Sequence, residues 1–181
     1  MSRTGHWMQT FTGVQYYPYD PRPEDFVLED IAHALSMLCR FNGHSDFFYS
    51  VAQHSTVMST KVSKENRLWA LFHDAAEAYL GDLIRPVKRG SALGIEFSAL
   101  EDHTLSMIAE RFDLPWPIPD EIHEADNRML ATESRDVLGG QVRSWNLGGA
   151  EPYTKVLVEW TPQMAKTLFL HQYDQILKGV S

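Results

Sequence analysis

A chain of 181 residues, 44% of them hydrophobic, is long enough for one domain with a full core and short for two. Its net charge of -8 argues against a broad nucleic-acid surface, which needs clustered Lys and Arg, while a local basic pocket for a small anionic substrate stays open. Cys39 is the only cysteine, so an internal disulfide and a zinc site of clustered thiolates are excluded, and any metal must be held by His and carboxylates.

No run of about 18 or more apolar residues occurs, and Met1 to Asp20 lack the apolar centre of a secretion signal. The expected setting is cytoplasmic, with no membrane partner. Phe11 to Tyr19 carry Gly13 among alternating bulky residues, which predicts a short hairpin or extended arm. Pro18, Pro21 and Pro23 then make a stiff lead into the first helix, whose face is marked by Ile31, Leu35 and Leu38. Leu68, Leu71, Phe72, Ala75 and Tyr79 mark a stronger helical face that Gly81 stops. Phe97, Leu100, Leu105, Ile108 and Phe112 trace another helix. Pro115, Pro117 and Pro119 break the chain before Ile122, Ala125, Met129 and Val137 resume the pattern, which Gly139-Gly140 ends. Thr161-Pro162 reads as an N-cap and first-turn proline for a last helix with Ala165, Leu168, Phe169 and Ile176 on its apolar side. The expected fold is an all-α bundle of about six or seven helices behind the N-terminal arm.

The chemistry concentrates in Leu71-Phe72-His73-Asp74-Ala75-Ala76-Glu77. Neighbouring helical residues point about 100° apart, so His73 and Asp74 can both reach one ion at the edge of the apolar stripe, with Glu77 one turn on. An isolated His-Asp pair is far more often a half-buried His with its acids in solvent, because charged residues are normally exposed. Here the acids fall inside an apolar segment with two small alanines, and Gly81-Asp82-Leu83-Ile84-Arg85-Pro86-Val87-Lys88 adds a carboxylate and two cations at once. His54 lies upstream and Asp126 downstream. Two imidazoles and two carboxylates form a borderline-hard site suited to Mn, Co, Fe or Zn.

The ordered set His54, His73-Asp74, Asp126 resembles the metal site of HD-domain phosphohydrolases. The helix and loop from Leu71 to Lys88 resemble those of the bacterial 5'-deoxynucleotidases in that superfamily, where an acid-rich helix precedes Gly-Asp-Leu and then Pro-Val-Lys. Val51-Ala52-Gln53-His54-Ser55 is similar to the family's Val-Ala-Glu-His-Ser, with Gln53 in place of Glu, and the spacing from His54 to His73 is shorter. The matches run from Arg40 to Asp126. The wider pattern, Asp30 to Ser36, Cys39 to His44 and Tyr49 to Ser55, looks like a compact phage and prophage branch that includes dATP triphosphohydrolases of phages that replace adenine with 2-aminoadenine.

The resemblance implies an HD-domain helical bundle in which His54, His73, Asp74 and Asp126 bind a divalent transition metal, while Glu77 and Asp82 serve proton transfer and water positioning. Arg40 would grip phosphate or sugar oxygens and Phe41 pack on sugar or base, at the end of the first helix; the alternative is a helix-capping Arg and a core Phe. Arg85 and Lys88 would meet phosphate, or Arg85 would be a solvated surface residue. The implied reaction is release of deoxyadenosine and triphosphate from dATP by an activated water. A deoxynucleoside 5'-monophosphatase and a non-catalytic nucleotide sensor are the alternatives. The implied assembly is a homo-oligomer, dimer or hexamer. His6, His33, His44, His103, His123 and His171 share no such constellation and read as structural or exposed, His44 lying near the substrate side. Trp116 and Trp160, beside prolines, read as packing anchors.

Overall fold

The computed structural model describes residues 3–139, 147, 149–154 and 156–180. The N-terminal arm is a hairpin of β1 (Met8–Gln9) and β2 (Gln15–Tyr16), paired antiparallel with Met8 opposite Tyr16. Its strands flank a tighter turn than the alternation of Phe11 to Tyr19 suggests, because the Thr10 hydroxyl and carbonyl accept from Val14 and Gly13 and close the chain there. The arm is tied down by Thr12, whose amide and hydroxyl donate to buried Asp30, and by the buried Tyr16.

Helical structure dominates the rest: α1 (Leu28–Met37), α2 (Val51–Ser59), α3 (Arg67–Phe72), α4 (Glu77–Leu80), α5 (Arg85–Gly90), α6 (Ala92–Arg111), α7 (Asp120–Asp136) and α8 (Pro162–Leu177). This is the all-α bundle that the periodicity predicts. Helix α2 is buried from Val51 to Ser59 and packs against α1, α3, α7 and α8, so polar groups on it must find partners inside the protein. One apolar cluster gathers Ile31, Leu35, Leu71, Phe72, Ile108 and Phe169; a second gathers Tyr49, Met58, Trp69, Ile122 and Met129. The Thr161 hydroxyl caps α8 by accepting from the Met164 amide, with Pro162 in the first turn. Among the described residues no helix is long and apolar enough to cross a membrane.

Three expectations change in detail. The stretch from Leu68 to Tyr79 is not one α-helix: between α3 and α4 the amides of Ala75 and Glu77 bond three residues back, to Phe72 and Asp74, so the backbone tightens to 3-10 spacing at His73 to Ala76. Gly81 ends α4 as expected, at φ 81°. Arg40 and Phe41 do not end the first helix, which stops at Met37; they lie in a 3-10 turn, Arg40–Gly43, with Phe41 at φ 57°. The Cys39–Ser50 bridge and the Arg40 amide bond to Tyr49 clip this turn beside the start of α2. Helix α7 ends at Asp136, ahead of the two glycines; Gly139 is left-handed at φ 65° and Gly140 lies outside the described residues. Gly94 lets α5 close over the first turn of α6: a Cβ there would fall 2.0 Å from the Lys88 carbonyl oxygen.

Candidate metal centre

His54 sits one turn into α2 with no exposed surface, and the Ser50 hydroxyl starts that helix by accepting from the Gln53 amide at 3.1 Å. Its ring is held through Nδ1, 2.5 Å from Glu133 Oε1 on α7. His73 is held the same way, its Nδ1 lying 2.8 Å from the Ala70 carbonyl oxygen in α3. Both imidazoles therefore present Nε2, and these two nitrogens lie 3.1 Å apart. Asp74 Oδ2 is 3.2 Å from His73 Nε2 and 3.7 Å from His54 Nε2, and Asp126 Oδ1 is 3.4 Å from His54 Nε2.

One donor atom each from His54, His73 and Asp74 lies within 4.8 Å of the others, a group that could hold a metal ion. The donor chemistry fits one. With both Nδ1 positions directed to acceptors, two Nε2 lone pairs converge where only a proton or a cation relieves them. Nitrogens bound tetrahedrally at about 2.0–2.1 Å would lie roughly 3.3 Å apart, near the separation observed. Asp126 meets the group through His54.

The charges are balanced tightly. Burial and the Arg40 cation oppose charge on His54, yet Glu133 and Asp126 carry its imidazolium up to about 9. Against its burial, Asp74 is held ionised far below the usual carboxylate range by His73, His54 and Arg40. Asp126 and Glu133 are likewise lowered against their burial, the first by His54 and the second by Arg40 and His54.

Arg40 faces the cluster and caps no helix. Its Nη1 is 3.2 Å from Asp74 Oδ2 and its Nη2 is 3.2 Å from Glu133 Oε2, with the guanidinium 5.5 Å from the Phe41 ring centre. Phe41 is half-buried and packs on the second apolar cluster, so the core role read for it holds in part. Glu77 opens α4 and is buried; its Oε2 has no hydrogen-bond partner among the described residues, and burial, then Asp74 and Asp82, push its carboxyl well up. Asp82 is half-buried and is also raised by burial. Arg85 is not a solvated residue without partners: it pairs with Asp126 and reaches Asn127 Oδ1 at 3.3 Å. Lys88 is engaged by Glu101 at 2.7 Å.

Glu133 and Glu101, the partners of Arg40 and Lys88, were not legible from the motifs. For Glu133 a signal existed: on α7 it occupies the face of Ile122, Ala125 and Met129, where the apolar pattern calls for a hydrophobic side chain. The Gln53 departure also has a cause. Its Nε2 donates to the Val158 carbonyl at 2.7 Å, which an ionised Glu could not do. His6, His44, His103, His123 and His171 are exposed, and half-buried His33 stacks on Phe11 at 3.7 Å. Trp160 packs on both apolar clusters, whereas Trp116 stays 45% exposed beside Trp69.

No family model matches the chain. It is 34% identical over 172 residues to the uncharacterized protein YfdR of Escherichia coli strain K12, covering 94% of this chain and 95% of that protein. It is 38% identical over 146 residues to an uncharacterized protein of Rhodobacter capsulatus, covering 74% of each. The chain belongs to the family of YfdR.

Proposed function

We propose that the chain is a divalent-metal-dependent HD-domain phosphohydrolase acting on deoxynucleotides in the cytoplasm, and that its leading activity is dATP triphosphohydrolysis. The observation that carries the reading is the convergence of His54 Nε2, His73 Nε2 and Asp74 Oδ2, with Asp126 alongside. These residues would hold Mn, Co, Fe or Zn. Such an ion supplies Lewis acidity: it lowers the pKa of a water and neutralises phosphoryl charge.

The chain's own groups do the rest. Arg40, carried on a clipped turn, offers a planar cation to the substrate's phosphate beside the Phe41 ring. Glu77, its carboxyl pushed well up by burial and by the neighbouring acids, is suited to give a proton to the departing nucleoside oxygen. Asp82 orients the incoming water. Arg85 pairs with Asp126, a residue the metal would claim, and is thereby available to a polyphosphate. The Lys88–Glu101 pair favours a second reading, a deoxynucleoside 5'-monophosphatase, because a cation already satisfied contributes less to a long phosphate chain. A homo-oligomer, dimer or hexamer, is the expected assembly and is checked by light scattering.

The test is to incubate purified protein with Mn or Co and a panel of deoxynucleoside mono- and triphosphates, then separate products by chromatography. Deoxyadenosine and intact triphosphate from dATP, with other triphosphates spared, is the expected result. Phosphate from several monophosphates alone would replace it with the nucleotidase, and nucleotide binding without any product would point to a sensor.

A further inference from the structure

We propose that Glu133 is a positioning residue that couples the metal ligands to Arg40, so that one buried carboxylate sets both the metal-binding tautomer of His54 and the aim of the anion-gripping guanidinium. The inference rests on the metal-centre reading above. Glu133 is fully buried, and its two oxygens go to different partners: Oε1 to His54 Nδ1 at 2.5 Å and Oε2 to Arg40 Nη2 at 3.2 Å. These partners come from α2 and from the turn before it, while Glu133 comes from α7. The other terminal nitrogen of Arg40 reaches Asp74 at 3.2 Å, and Asp74 returns to His54 at 3.7 Å, so the four side chains form a closed ring.

The position demands a carboxylate. An ionised Glu accepts through both oxygens and donates through neither, which suits two donors at once. Glutamine of the same shape can serve only one of them. With its carbonyl toward His54, its amide nitrogen meets the donors of Arg40. With its amide toward His54, Nδ1 must accept, and the ring proton moves to Nε2, the atom that has to carry a lone pair for a metal. A carboxylate that merely stapled α7 to the turn would affect stability and neither binding event.

Glu133→Gln separates these accounts. Mn2+ affinity is read by electron paramagnetic resonance, inorganic phosphate affinity by calorimetry, and the His54 Nδ1–H proton by NMR, in wild type and variant. The variant should bind Mn2+ about 10- to 100-fold more weakly, or keep Mn2+ and bind phosphate about 10-fold more weakly, according to which way the amide turns, with the His54 proton resonance moved upfield or lost. A folded variant that keeps both affinities within about twofold and only melts earlier overturns the coupling. Should the variant fail to fold, wild-type protein decides: phosphate binding must shift the His54 Nδ1–H resonance, and binding without a shift overturns the proposal. Wild-type protein that binds no Mn2+ would instead sink the metal-centre reading, and this inference with it, whereas Mn2+ binding by wild type isolates the failure to Glu133.

Discussion

Two groups of acids meet at this site and are shifted in opposite directions. Asp74, Asp126 and Glu133 each lie against an imidazole or guanidinium, at 3.2, 3.4 and 2.5 Å for the nearest histidine contact, and all three are lowered from their ordinary values despite burial. Glu77, Asp82 and Glu101 are raised, with burial the leading cause in each, and Glu101 stays raised even with Lys88 at 2.7 Å. Residues of one chemical type are thus pushed in opposite directions, three toward the anion and three toward the protonated form. Environments that push neighbouring acid pKa values apart are how acid and base roles are separated within one site.

The division breaks hardest at the ligands. His73→Ala combined with Asp74→Ala removes two of three converging donors, so metal content measured by mass spectrometry should fall to nothing and turnover to background. Full turnover by that double variant would overturn the assignment. Glu77→Gln sharpens the contrast from the other side. It keeps the shape and removes the titratable carboxyl, so kcat should drop by about 10²- to 10⁴-fold while Mn2+ affinity is unchanged. Loss of metal in that variant would place Glu77 among the ligands instead.

How much of this was legible in the residues follows from the range of the interactions. The bundle was, because apolar repeats such as Ile31, Leu35 and Leu38 report burial locally, and Thr161-Pro162 marks a helix start by its own chemistry. The donors His54, His73 and Asp74 were legible because their order and spacing survive as motifs. The tightening of the backbone at His73 to Ala76 was not, since α and 3-10 turns share one apolar pattern over so few residues. The partners of Arg85, Lys88 and Arg40 were not legible either. Each is an acid distant in the chain, at Asp126, Glu101 and Glu133, and pairing across elements leaves no periodicity.

The anionic group should also make metal binding depend on pH. His54 charges up to about 9, above its ordinary value of 6.5, so the metal-free protein carries an extra proton there at neutrality. For the metal-free fold the sign is that of a raised base: its contribution to stability is fully present below about 6.5 and is lost as pH rises through about 9. The metal competes with this proton. Its affinity should therefore rise roughly tenfold per pH unit from 7 toward 9 and then level off, with about one proton released per ion in calorimetry across buffers of different ionisation enthalpy. A flat profile would mean that His54 is already neutral, and that Glu133 and Asp126 do not govern its charge.

The smallest effect belongs to the raised group, at Lys88 and Glu101, whose side chains are 21% and 16% exposed. Lys88→Met strands a half-buried carboxyl, which should cost about 1–3 kcal/mol in denaturant unfolding. Adding Glu101→Met should recover part of that loss, because removing both partners of a desolvated pair is cheaper than removing one. Equal losses in the single and double variants would show that the pair contributes packing alone. The same two proteins also divide the substrates. If Lys88 leaves Glu101 to meet a long phosphate chain, Lys88→Met raises the KM for dATP and leaves that for deoxynucleoside monophosphates unchanged. If Lys88 stays with Glu101, neither KM moves, and recognition of the distal phosphates falls to Arg85.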